Sequence, residues 1–137
     1  MEFKQMPELK EVVTKLKDAF PEKLSHIEED KLLYASFSKK ESRVKGKIGP
    51  VPPRYSIFLK NYDYLLEIHK ESWLLFDIGK RLYVVLHELC HIPIDGFTPG
   101  KKDYRKVIKH DLEDFKTLVR EYGVDLENVQ KLEDLIK

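Results

Sequence analysis

Five consecutive residues, His87-Glu88-Leu89-Cys90-His91, constrain this chain more than any other stretch. They fall inside its strongest helical pattern. Leu75, Ile78, Leu82, Val85, Leu89 and Ile92 recur at alternating spacings of three and four, and Leu74 and Leu86 widen the stripe. The pattern predicts a helix over 73–92, with Asp77 as the cap of its regular part and Pro93 as its stop. Both histidines lie off the main apolar stripe. Residues four apart share one helical face, separated by about 6 Å of rise. Two imidazoles so placed can converge on one Zn²⁺ at the usual ~2.0–2.1 Å Zn–N distance. Glu88 is rotated about 100° from His87. It stands beside the metal without having to bind it, where a base is needed to take a proton from water activated there.

A catalytic zinc site needs a third protein ligand and one open position. The remaining histidines are His26, His69 and His110. His110 follows a loop, Ile94 to Lys102, long enough to reverse the chain, so its helix can pack back against His87 and His91. Asp111, Glu113 and Asp114 are rival ligands, because zinc also accepts carboxylates. Asp111 and Asp114 are also candidates for the outer shell, and Asp114, one turn after His110, can take that histidine's second N–H. Cys90, between the two ligand histidines, reads as a small residue packed under the site. His26 and His69 read as structural histidines, Tyr83 and Tyr104 as half-buried packing residues able to donate to an oxyanion, and Trp73 as a core plug.

The rest of the chain supplies an α+β frame. Pro7 to Phe20 has helical spacing, Lys31 to Ser38 and Tyr62 to His69 read as strands, and Asp103 to Tyr122 reads as a helix. In that last helix Tyr104, Val107 and Ile108 begin the buried side, Gly123 is the stop, and a short helix over 126–136 follows. Between the strands, Lys39 to Arg54 carries Lys39, Lys40, Arg43, Lys45, Lys47 and Arg54 among three prolines and two glycines. A surface loop or hairpin arm with an edge strand near Val44 to Ile48 fits it.

Composition narrows the classes. A length of 137 residues fits one domain, 1–137, and 42% hydrophobic with 36% charged residues is a globular mix. With 25 basic and 24 acidic residues the net charge of +1 gives no general case for nucleic acid, although the basic segment is a weak candidate for DNA phosphates. One cysteine cannot close an intrachain disulfide. MEFKQMPELK lacks a signal-peptide core and no apolar run approaches the ~20 residues of a bilayer span, so no membrane partner is expected and the expected location is cytoplasmic.

Three stretches carry a family resemblance. YDYLLEIHKESW resembles the strand and following tryptophan of the phage and prophage metallopeptidase family, LYVVLHELCHI its active helix, and KHDLEDFKTLVREYG its third-ligand helix. The resemblance implies a minimal zincin fold, a small sheet packed on the active helix, with His110 as third zinc ligand. A more distant likeness is to SprT-like proteases, although the chain has no separate zinc ribbon. The expectation is a zinc metallopeptidase acting on a polypeptide, with His87, His91 and His110 on the metal and Glu88 as base. The alternative is a non-catalytic, metal-containing regulatory or DNA-binding protein of a mobile element.

Overall fold

The computed structural model describes residues 2–52, 59 and 61–108. His110, Asp111, Glu113, Asp114 and Arg54 lie outside the described residues, as do Gly123 and the helices expected beyond 108.

The described part is α+β. Strand β1 (Glu2–Gln5) leads into helix α1 (Glu8–Ala19), a single turn α2 (Pro21–Leu24) and a 3₁₀ turn (Glu29–Lys31). Strands β2 (Leu32–Ser38), β3 (Gly46–Pro50) and β4 (Tyr64–His69) follow, then α3 (Lys70–Leu75) and α4 (Ile78–Leu89). The sheet order is β1-β2-β4-β3. β2 and β4 run parallel, and the outer strands pair antiparallel.

Strand alternation sorts the side chains onto two faces. Leu32 and Tyr34 of β2 and Tyr64, Leu66 and Ile68 of β4 share one face, in the same core cluster as Leu9, Val13 and Leu16 of α1 and Leu82, Val85, Leu86 and Leu89 of α4. The active-motif helix is therefore packed on the sheet through its apolar stripe. The other face carries Ala35 and Phe37 beside Glu67 and His69 in register. Glu67 is buried there, with one carboxylate oxygen lacking a hydrogen-bond partner, and Lys47 stands 3.9 Å from the other.

The structure divides the helix expected over 73–92. α3 ends at Leu75, Phe76 and Asp77 are extended, and α4 starts at Ile78. Asp77 caps α4 by accepting from the Lys80 N–H at 2.8 Å, and His69 caps α3 through Ser72. Two caps so close make two helices, because each cap residue must leave the helical conformation. Leu74, Leu75 and Ile78, expected on the buried stripe, are consequently 66%, 87% and 63% exposed. Trp73 is buried as expected, with the Arg81 guanidinium 5.0 Å over its ring. A second correction concerns the start of the helix expected at Asp103. Residues 101–105 are bends and turns, and Val107 and Ile108 are largely exposed. No described helix is long and apolar enough to cross a membrane.

Candidate metal centre

α4 ends at Leu89, with Cys90 as its C-cap. His91 lies one residue beyond, in a tighter turn closed by His91 N–H to Glu88 O at 3.0 Å and Ile92 N–H to Leu89 O at 3.1 Å. Pro93 is the reason: it has no N–H for the next helical bond and disfavours the helical conformation of its predecessor. The motif therefore spans the end of the helix, and the tighter turn keeps the two histidines adjacent. Their ring centroids are 5.4 Å apart with planes inclined at 74°. Among the described residues, His87, Glu88 and His91 form a cluster in which one donor atom from each lies within 4.8 Å of the others.

The main chain orients one of these imidazoles. His91 Nδ1 is 2.7 Å from the carbonyl oxygen of Ile108. A carbonyl only accepts, so Nδ1 carries a proton here, and in the neutral ring the lone pair is the one on Nε2. The Ile108 N–H returns to His91 O at 2.8 Å, closing a two-way clasp between residues 91 and 108. Burial, and after it the neighbouring His91, lower the pKa of His87, which keeps its imidazole neutral and able to donate a lone pair. Glu88 is buried, 4.0 Å from His87 Nε2, and burial pushes its carboxyl up to about 7. The carboxylate is thus a far better proton acceptor than a solvated glutamate. Two imidazoles and a carboxyl gathered within this distance are a donor set able to hold a metal cation.

The other candidate histidines are occupied elsewhere. His69 Nε2 is 2.7 Å from Lys39 O, and Nδ1 is 2.6 Å from Ser72 Oγ. His26 Nε2 is 2.9 Å from Ile92 O. Cys90 is outside the converging donor set, packs against the core, and burial pushes its thiol up to about 11. Tyr104 donates its hydroxyl to Asp63 at 2.7 Å, away from the motif. Tyr83 lies beside the site, its ring centroid 6.3 Å from that of His87.

The edge strand passes close to the motif. A side chain at Gly46 would meet Ile68 and Val84 at 3.1 Å and Glu88 at 3.4 Å, so the missing Cβ is what lets β3 approach α4. Lys45 O accepts from His69 N–H, and Val51 N–H donates to Asp63 O. Antiparallel alternation then turns the backbone groups of Lys45, Lys47, Gly49 and Val51 toward β4, and those of Gly46, Ile48 and Pro50 outward. A cleft between this edge and α4 is lined by Val44, Gly46, Phe76, Tyr83, His87 and Glu88, with Val84 in its floor and Arg43, Lys45 and Lys80 around it.

That geometry subdivides the basic segment. Lys47 leaves the cleft for the opposite sheet face, where it sits 5.1 Å over the Phe37 ring near Glu67. Lys39 is held through its backbone by Glu71 and His69. Arg43 and Lys45 belong to the cleft. Among the described residues, Lys47 and the pair Arg43 and Lys45 thus lie on different sides of the sheet edge, and the DNA expectation finds no support.

A family model described as putative phage metallopeptidase matches residues 1–137, and the chain belongs to that family. No curated protein and no solved structure matches the chain closely enough to count as similar.

Proposed function

We propose that this member of the phage metallopeptidase family is a zinc-dependent peptidase of minimal zincin architecture, forming a single domain over residues 1–137 and acting in the cytoplasm. The observation that carries the reading is the convergence of His87, Glu88 and His91 beside the strand that forms the sheet edge among the described residues. His87 and His91 hold the metal. His110 is the third ligand, with Asp111 and Asp114 in the outer shell. Support for His110 comes from the clasp at His91, because two residues beyond Ile108 can reach only about 7 Å.

A bound zinc ion supplies a Lewis acid that acidifies water and polarises a carbonyl. The chain's own residues do the remaining work. Glu88 takes the proton from the attacking water onto its carboxylate and passes it to the leaving amine. Its buried setting, which raises its proton affinity, suits both transfers. The Ile108 carbonyl fixes His91 in one tautomer and one orientation, as outer-shell partners of metal ligands do. The outward backbone groups of Gly46 and Ile48 give an extended polypeptide a short edge to pair with, and Pro50, lacking an N–H, ends that edge.

The test separates binding from catalysis. Purified protein should hold one zinc per chain by elemental analysis, and His87→Ala or His91→Ala should lose it. Glu88→Gln should keep the metal while hydrolysis of a peptide substrate falls by about 10²–10⁴-fold. Loss of zinc from Glu88→Gln would make that residue a ligand and overturn the assignment. Full zinc without hydrolysis in wild type would favour the non-catalytic reading.

A further inference from the structure

The cleft beside the motif has a character of its own, separate from the metal donors. Its apolar wall is Val44, Phe76 and Val84, with Val44 47% exposed. Its rim is basic. Arg43 and Lys45 stand on the strand side and Lys80 on the helix side, and Glu88 is the one carboxyl among the described lining residues. Among the described residues, the Lys45 ammonium bonds a main-chain carbonyl, that of Ser42, at 2.9 Å. Asp77, the acid nearest Lys80 in sequence, already receives the Lys80 backbone N–H at the helix cap. Positive charge on both banks of an apolar trough is a pattern that attracts acidic groups flanking an apolar one.

We propose that this cleft selects polypeptide segments in which one bulky apolar side chain is flanked by acidic residues. Val44, Phe76 and Val84 take the apolar side chain, and Arg43, Lys45 and Lys80 take the flanking carboxylates. The selection rests on the peptidase reading above, and it assigns substrate preference to residues outside the catalytic motif. Extended pairing on the β3 edge gives the preference its geometry. Alternate side chains of a paired strand point to one face, so the apolar side chain enters the trough and the side chains two residues before and after it run along the rim. Lys47, on the far face of the sheet, takes no part.

The experiment uses three quenched fluorescent peptides with a central leucine and, two positions to either side of it, glutamate, lysine or serine. They are assayed with the zinc-loaded wild type and with Lys45→Glu/Lys80→Glu, whose melting curves are compared first to verify folding. Both lysines are exposed, so the variant should fold. Binding of the same peptides to Glu88→Gln, with and without the two charge reversals, is followed by fluorescence anisotropy. In wild type the glutamate-flanked peptide should have a KM about three- to tenfold below the serine-flanked one, as two or three exposed ion pairs allow. The advantage should shrink at 0.5 M salt and invert in the charge-reversed variant. Val44→Ser should narrow the difference between a central leucine and a central glycine. Cleavage of all three peptides with equal KM, or a preference untouched by charge reversal, would overturn the proposal and leave the peptidase reading intact. Absence of any cleavage would count against the peptidase reading instead. Anisotropy would then still decide the cleft: tighter binding of the glutamate-flanked peptide, lost on charge reversal, supports its selectivity, and equal binding of all three refutes it.

Discussion

At the scale of single residues, the site depends on what each side chain is prevented from doing. His91 cannot present Nδ1 to a metal, because that nitrogen is committed to Ile108 O. Glu88 cannot rest as an ordinary solvated carboxylate, because α4 and the Gly46 backbone enclose it. The histidines and the glutamate were legible in the sequence from their spacing alone. The clasp with Ile108 was not, since it joins the imidazole and main-chain carbonyl of His91 to the main chain of a residue seventeen positions on, and no residue type announces such a partner. His110 can be examined by substitution. His110→Ala should weaken zinc binding by more than about tenfold, since even outer-shell partners are worth 10–100-fold. Asp111→Ala and Asp114→Ala should each cost less. A zinc competition titration that ranks Asp111 or Asp114 above His110 would hand the ligand role to a carboxylate.

Among secondary-structure elements, the decisive contact is β3 against α4. Gly46 and Gly49 lie on the same five-residue strand but differ in surroundings. A Cβ at Gly46 would press on Ile68 and Val84, while one at Gly49 meets nothing within 4 Å. Gly46→Val should therefore cost about 1–3 kcal/mol by overpacking and shift the strand edge away from Glu88, lowering activity more than stability alone predicts. Gly49→Val should be nearly neutral in a chemical melt. Equal costs at the two positions would mean that the close approach is not what Gly46 supplies. The edge strand itself could be read from the segment's glycines and prolines. Its neighbour in the sheet could not, since pairing of β3 with β4 is a long-range choice. Strand β1 went unread because four residues are too few to show a period. The apolar spacing over 73–92 runs unbroken past Phe76 and Asp77, so periodicity alone makes the helix continuous. Local capping by Asp77 outweighed that spacing, and Leu74, Leu75 and Ile78 were left in solvent.

β4 offers an electrostatic test at the same scale. Burial holds the Glu67 carboxyl above its ordinary range, and Lys47 offsets this only in part. A carboxyl whose pKa is raised on folding binds its proton more tightly in the native state. Its stabilising contribution is present at pH below the unfolded value near 4.3 and fades as pH rises through the folded value. Glu67→Gln should therefore raise stability at pH 7 by about 1 kcal/mol relative to wild type, with the gain vanishing toward pH 4. Thermal melts of both proteins across that range give the comparison. A constant difference at all pH values would mean that the ionised carboxylate is not the source.

Over the whole molecule, the start of β4 is tied to the metal centre by a route that bypasses the helix. Asp63, buried just ahead of β4, gives its N–H to Lys31 O and takes the Val51 N–H, which fixes it to the sheet. Its side chain then holds the returning loop, accepting from Tyr104 Oη at 2.7 Å and Arg105 Nε at 2.9 Å. Arg105 has φ of 57°, a left-handed conformation unusual for a residue with a Cβ, and its N–H bonds to Gly96 O at 2.9 Å. Strain of that kind, about 1–3 kcal/mol, persists only where surrounding bonds overdetermine it. Next in line, Tyr64 Oη donates to Lys106 O at 2.6 Å, and Ile108 closes on His91. Removing Asp63 should release the loop at its most strained residue and let the clasp at His91 loosen. Asp63→Ala is expected to cost about 2–4 kcal/mol, from two hydrogen bonds to a charged acceptor and a desolvated partner left behind. Asp63→Asn, which keeps one acceptor oxygen, should cost less. The coupling to the site is read separately, by zinc competition titration at a temperature where each variant remains folded. Zinc affinity should fall in the order wild type, Asp63→Asn, Asp63→Ala, and the rise in Tm on adding zinc should shrink in the same order, because a ligand at free concentration L stabilises the fold by RT ln(1 + L/Kd). A destabilised Asp63→Ala that binds zinc as tightly as wild type would show that the loop's anchor and the metal centre are independent.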